Sequence, residues 1–397
     1  MKKILNLIAL LGLVGLGQTN AATILGGDVA VYRVGANGSA AALTSGNNAV
    51  FVDVFRKSNG TWSLNQTIAM PTVVSGNNQI LTASGSAGSE GYINMSEDGR
   101  YFVLGGYNKA VNNTSATLAN GLGKYSADRT IGLLTLSSGS VDTTTHGAWG
   151  LGNISSSQNI RSVASNDGTS FYATTDGGIY YGAYGASAAA PSLIKAGNVR
   201  VLEISQGNLL VGTGSANAIA TGSTAGAIGT TVGLPTALNT TMTVMFNEIA
   251  GTTATPPVYS PYGFSLLDLN KDGIDETAYI ADSGGGINKM YFDGNTWASK
   301  GVITGTYSGL EAVYNGTSVD IFVTAASGST LGALNDASAI GGALTGTVTT
   351  IGTAGANTAF RGVAVAAVPE PSAQALLGIG MVALVAVRAL RRGRSDS

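Results

Sequence analysis

Phe264-Ser-Leu-Leu-Asp-Leu-Asn-Lys-Asp-Gly-Ile-Asp-Glu-Thr-Ala-Tyr-Ile-Ala-Asp282 decides the fold. An apolar run meets a tight polar turn, and a second apolar run, Ala278 to Ala281, follows. That is a β-hairpin: Asp and Gly tolerate the backbone angles of a short turn, and the flanking runs fit strands. The pattern recurs. Glu90 to Leu104 turns at Asp98-Gly99, Arg161 to Ala173 at Asp167-Gly168, Val199 to Val211 at Gln206-Gly207, and Leu310 to Val323 at Asn315-Gly316. A further hairpin turns at Ser58-Asn59-Gly60, between Ala49–Phe55 and Thr61–Ile68.

Weaker strand pairs follow most of these hairpins, for example Thr130–Leu136 and Met290–Trp297. About four strands per unit, at a long and irregular period, predicts an all-β fold of the β-propeller type. The expected blade number is about six. Seven is the alternative, because Ala216 to Ala250 could hold a degenerate blade. Phe360 to Val365 reads as an inner strand whose partners are missing, and Val29–Val34 and Val50–Ile68 read as outer strands. Pairing the N- and C-terminal strands would close the ring and remove its open edges.

Composition agrees with this reading. The 397 residues include 58 Gly and only 11% charged residues, which favours short strands and polar turns over helices. No Cys is present, so disulfides and thiolate sites are excluded. The single His, His146, lies in a loop-like stretch and would have to serve any Ser-His-Asp triad. Without the charged residues at the two ends, the body holds 14 basic against 20 acidic residues and no basic patch. No nucleic-acid partner is expected, because neutralising phosphates needs clustered Lys and Arg.

The ends read as addresses. Residues 1–22 carry Lys2 and Lys3, an apolar core from Ile8 to Gly17 and small residues to Ala22, the three parts of a secretory signal peptide. Residues 368–397 carry Pro369-Glu370-Pro371, an apolar run from about Ala375 to Val387, then Arg388, Arg391, Arg392 and Arg394. Each end should form a short hydrophobic helix. The C-terminal segment resembles the PEP-CTERM sorting signal of Gram-negative bacteria. That resemblance implies export, transient anchoring in the inner membrane, recognition by an exosortase, and delivery to the cell surface or extracellular matrix. Residues 23–367, the expected propeller, resemble a group of bacterial β-propeller-like proteins often tailed in this way. The matching landmarks are Gly27–Gly35, Ser89–Gly91, Asn159–Ser162, Ser260–Phe264 and Asn357–Ala364. This second resemblance implies a fold and no activity.

Two constellations could carry chemistry. Asp268, Asn270, Asp272 and Asp275 alternate around Gly273 like the start of a calcium loop, where oxygens converge on a hard cation. Tyr279 stands where an EF-hand would place Glu, so a helical EF-hand is excluded. The spacing is similar to that of calcium loops between propeller strands, and an acidic hairpin turn is the plainer reading. Glu90, Arg161, Arg200, Glu311 and Arg361 fall where inner strands begin. They could line a pocket for a small polar ligand or sugar, or form Arg–Glu pairs between blades. Trp62, Tyr180, Tyr181, Tyr184 and Trp297 could stack on sugars, although strand-face packing is the commoner role.

The leading expectation is a non-enzymatic binding or structural protein, sorted with exopolysaccharide to the surface or matrix. The alternative is a secreted propeller lyase or hydrolase acting on polysaccharide or a small lactone.

Overall fold

Antiparallel strands make up the regular structure of the described residues, among which no helix occurs. The structure is a computed structural model that describes residues 22–112, 128–149, 159–185, 191–247 and 261–367. The expected signal-peptide and sorting helices, with Pro369, Glu370 and Pro371, lie outside the described residues.

Strands β1 (Val29–Val34), β2 (Asn47–Ser58) and β3 (Thr61–Ala69) form a meander. The β2–β3 turn closes in two residues, because Ser58 pairs with Thr61. Asn59 and Gly60 both take positive φ, as a turn matched to strand twist requires. Strand β4 (Thr82–Ser84) pairs with both β2 and β6 (Tyr101–Tyr107). It therefore joins the first unit to the second, which consists of β5 (Asn94–Met95), β6, β7 (Arg129–Thr135), β8 (Val141–Asp142) and β9 (His146–Gly147).

Four separate four-stranded meanders follow. The first has β10 (Ser162–Ala164), β11 (Ser170–Thr174), β12 (Gly178–Ala183) and β13 (Ser192–Ala196). The second has β14 (Val199–Ser205), β15 (Asn208–Thr213), β16 (Ala227–Thr230) and β17 (Thr243–Asn247). The third has β18 (Pro261–Leu267), β19 (Thr277–Asp282), β20 (Gly286–Phe292) and β21 (Trp297–Ile303). The fourth has β22 (Tyr307–Tyr314), β23 (Val319–Ala325), β24 (Thr330–Asp336) and β25 (Thr349–Thr353). The described part of Ala216–Ala250 thus supplies β16 and β17, the outer strands of an existing sheet. Last, β26 (Ala359–Val365) pairs antiparallel with β1, Val365 opposite Val29 and Ala359 opposite Val34.

The cores lie between successive units. Phe102 and Leu104 pack against Val52 and Val54, whereas Val103, between them, packs against Val163 and Phe171. Tyr172 meets Leu202 and Leu209. Leu210 meets Phe264 and Ala278, and Tyr279 meets Leu310 and Ile321. Phe322 meets Val31 and Phe360, which returns to the first unit. Second strands are therefore buried on both faces, which explains why Phe102–Leu104 and Ala278–Ala281 are unbroken apolar runs rather than alternating ones. The first strands touch in the same circular order: β5 with β10, β10 with β14, β14 with β18, β18 with β22, β22 with β26, and β26 with β5. The arrangement is propeller-like.

Candidate functional site

Two levels of side chains mark the first strands. Arg161, Arg200, Tyr262, Ser308 and Arg361 stand at or near their starts. Three residues further on, Ala164, Glu203, Ser265, Glu311 and Ala364 form a second level. The pairings Leu202–Val211, Phe264–Ile280 and Leu310–Val323 fix this alignment. Sequence reading grouped Glu311 with the arginines. Its counterpart is Glu203, a residue that reading missed. The shared Leu-Glu dipeptide of Leu202-Glu203 and Leu310-Glu311 was the available signal.

At the first level, arginines reach across to the next unit's backbone. Arg161 donates through Nη1 to Asn198 Oδ1 (2.7 Å) and to the Val199 carbonyl. Arg200 donates to the Pro261 carbonyl at 2.8 Å and lies 4.1 Å above the Tyr262 ring. Arg361 donates to the Gly85 carbonyl at 3.1 Å. Burial lowers the pKa of Arg161 and of Arg361, with nearby acidic groups and phenols offsetting part of the effect. Glu90, 2% exposed, accepts from the Tyr107 hydroxyl at 2.6 Å and from the Ser84 amide at 3.4 Å. A first strand is fully paired on one side only; on the other it meets its neighbour at isolated points, as where the Tyr92 amide donates to the Arg161 carbonyl at 3.0 Å, which leaves some carbonyls for side chains. Arg161 and Arg200 serve carbonyls of the neighbouring first strands, at Val199 and Pro261, whereas Arg361 serves the Gly85 carbonyl just after β4. The expected Arg–Glu partnership is replaced, for Arg161 and Arg361, by bonds to backbone and amide oxygens.

Between these arginines, Tyr92 stacks on Tyr262, with centroids 6.1 Å apart and planes at 11°. Tyr92 belongs to the second unit and Tyr262 to the fifth, so the pair spans the ring of first strands. Tyr92 is buried, and desolvation pushes its phenol pKa upward.

At the second level, Glu203 and Glu311 flank β18 from the units on either side. Glu311 Oε1 accepts from Ser265 Oγ at 3.1 Å, and Ser265 Oγ accepts from the Ala312 amide at 3.1 Å. Desolvation pushes the Glu311 carboxyl up to about 8. It pushes Glu203 well above the usual carboxyl range, and the Glu311 and Asp275 charges add to the shift, partly countered by the Leu266 amide. Glu203 Oε2 is shielded and lacks a hydrogen-bond partner. Half-buried and close enough to repel each other, the two carboxyls disfavour double ionisation.

The acidic turn holds itself together. Asp268 accepts from the Asp272 amide (3.1 Å) and the Gly273 amide (2.8 Å), Asn270 Oδ1 from the Asp272 amide (2.9 Å), and Asp272 from the Ile274 amide (2.9 Å). Asp275 points elsewhere and accepts from Ser205 Oγ at 2.8 Å. The four side chains do not converge on one centre as arranged, and no group of three or more acidic or His side chains could share a metal among the described residues.

The aromatic residues divide by environment. Tyr180 is buried, Tyr181 lies tilted against Tyr172, and Tyr184 donates to Asp142 at 2.5 Å. Trp297 lines a cleft of about 600 Å³ but packs against Phe246 and Phe292, with centroids at 4.5 and 5.5 Å. Trp62 lines a cleft of about 640 Å³ between the first unit and the β22–β25 sheet. His146 lies 3.7 Å from Asp128.

No family model matches the chain, and no curated protein does. Solved structures with partial likeness include a nidogen/laminin complex (10% identity, 87% of this chain and 100% of that one, TM-score 0.46). BamB from Moraxella catarrhalis is similar at 10% identity, over 74% of this chain and 70% of that one, with TM-score 0.35. A gluconolactonase from Xanthomonas campestris is similar at 12% identity, over 85% and 91%, with TM-score 0.39. At these scores no role is taken from any of them.

Proposed function

We propose that this chain is an exported, six-bladed β-propeller, closed by β26 against β1, that binds polysaccharide at the cell surface or in the matrix without turning it over. The observation that carries the non-enzymatic reading is how the side chains at the first-strand starts are committed: Tyr92 stacks on Tyr262, and Arg161, Arg200 and Arg361 donate to backbone carbonyls. Side chains committed in this way brace the ring, which leaves recognition to the clefts between blades. The circular order of first-strand contacts supports six blades and closure. Pro369-Glu370-Pro371 with its apolar run and basic tail supports sorting by an exosortase. A test of the sorting step is to replace Pro369-Glu370-Pro371 with alanines and follow the protein by cell fractionation. Retention in the inner membrane fits the proposal; unchanged delivery to the surface contradicts it.

One observation favours a second reading. Glu203 and Glu311, with raised pKa values on either side of Ser265, are the sort of carboxyl pair that general acid–base chemistry uses. A propeller hydrolase or lyase acting on polysaccharide or a small lactone would use them. Reducing-end or acid release from such substrates, lost in Glu203→Gln, would select this reading.

A further inference from the structure

The cleft beside Trp62 combines two kinds of surface. Its floor is apolar and aromatic, with Trp62, Val313 and Ile351. Phe322 braces Trp62 edge-on at 5.3 Å and 80°. Among the described residues no aromatic ring stacks on Trp62; the Lys57 ammonium lies over its ring, 5.8 Å from the centroid. Its wall is polar and held in place. Asp320 accepts from Asn315 (3.0 Å) through one oxygen and from Asn335 (2.7 Å) through the other, and both amides also donate to Ser318 Oγ. The wall is therefore positioned before any ligand arrives, which lowers the entropic cost of binding.

Charge narrows the ligand. Arg56 is matched by Asp28 in a two-point ion pair (2.7 and 2.6 Å). Lys57 and Asp320 balance each other in sign, so the cleft is close to neutral. A volume of about 640 Å³ falls in the range of small-molecule pockets. A flat apolar ring in the same cleft as planar amides and a carboxylate suits a molecule with one C–H face and a rim of hydroxyls. We infer that this cleft binds a neutral pyranose unit of a saccharide chain, with Trp62 under the sugar ring and Asn335 and Asp320 on its hydroxyls. The inference rests on the polysaccharide-binding reading above and assigns that reading a place.

Titration calorimetry of the body with cellohexaose, maltohexaose and mannohexaose tests it, with an alginate hexamer as the anionic control. Saturable binding of a neutral oligosaccharide is expected, weakened at least about tenfold by Trp62→Ala and by Asn335→Ala and unchanged by Trp297→Ala. Asn335 is exposed, so its substitution leaves the fold intact even where Trp62→Ala does not. Neutral-sugar binding that survives Asn335→Ala, binding of alginate alone, or binding of none of the four overturns the inference. Each variant is also assayed for retention on whole polysaccharides. Retention that persists in both cleft variants removes the cleft but leaves the binding function standing; no retention by the unaltered protein removes both.

Discussion

Gly362 lies directly against Tyr92: a Cβ built at Gly362 would come within 2.6 Å of the Tyr92 Cα, and the Gly362 amide donates to the Gly91 carbonyl at 2.9 Å. The contact joins the last strand to the second unit. Two neighbours repeat it. A Cβ at Gly263 would meet the Leu310 amide nitrogen at 2.4 Å, and one at Gly309 would meet the Arg361 carbonyl at 2.6 Å. First strands here touch backbone to backbone, and a side chain at these positions would force them apart.

Gly362→Ala is therefore expected to cost about 1–3 kcal/mol, the range of overpacking a tight interior. Urea denaturation measures it. The control is Gly185→Ala, where the added carbon meets nothing but φ is positive. Equal stability of Gly362→Ala and the unaltered protein would mean that these strands are not in backbone contact.

Lys289 and Asp336 form a buried ion pair at 2.6 Å, both at 0% side-chain exposure, between β20 and the end of β24. Tyr279 also donates to Asp336 at 2.6 Å. Burial raises the Asp336 pKa, but hydrogen bonds from Lys289, Ser338 and Tyr279 outweigh it and the net shift is downward. Asp336→Ala leaves an uncompensated buried ammonium and should cost about 3–5 kcal/mol. Lys289→Met with Asp336→Leu should cost less than Asp336→Ala alone. Denaturation midpoints of the variants check the order.

Stability should fall as pH rises from about 4.5 to about 8. An unfolded Glu titrates near 4.5, whereas burial raises folded Glu311 to about 8 and moves Glu203 the same way. Between those values the native state holds protons that the unfolded chain has released. The resulting stability is whole below pH 4.5 and is lost as pH rises through about 8. Melting temperature should therefore decline over this window, and Glu203→Gln with Glu311→Gln should flatten the decline. An unchanged slope in the double variant would show that the pair is solvated.

Much of the fold was legible because hairpin turns have strict chemistry. Asn59-Gly60 and Gln206-Gly207 adopt the positive φ values that their residue types suggested. The isolated run Phe360–Val365 pairs with Val29–Val34, as its lack of neighbours in sequence implied. The site was less legible. Glu311 sits one level deeper than Arg200 because level depends on where each strand enters its sheet, and short β-bulges shift that entry, as between Val199 and Leu202. The Tyr92–Tyr262 stack joins residues 170 positions apart and has no local signature. The acidic turn shows the converse: its alternating oxygens fit both a calcium loop and an acidic hairpin turn in sequence, and in the structure they satisfy the amides of their own turn.

Calcium titration follows from that turn. With Asp268, Asn270 and Asp272 holding loop amides and Asp275 bonded to Ser205, calorimetry should register no saturable calcium binding. Saturable binding lost in Asp272→Ala would show that the loop rearranges around the ion.

The most direct measurement sets the purified body against a panel of bacterial exopolysaccharides, scoring retained protein and released reducing ends in the same samples. Retention without release is the predicted result. Release that scales with protein concentration and disappears in Glu203→Gln or Glu311→Gln would contradict the account and make the Glu203–Ser265–Glu311 group an active site.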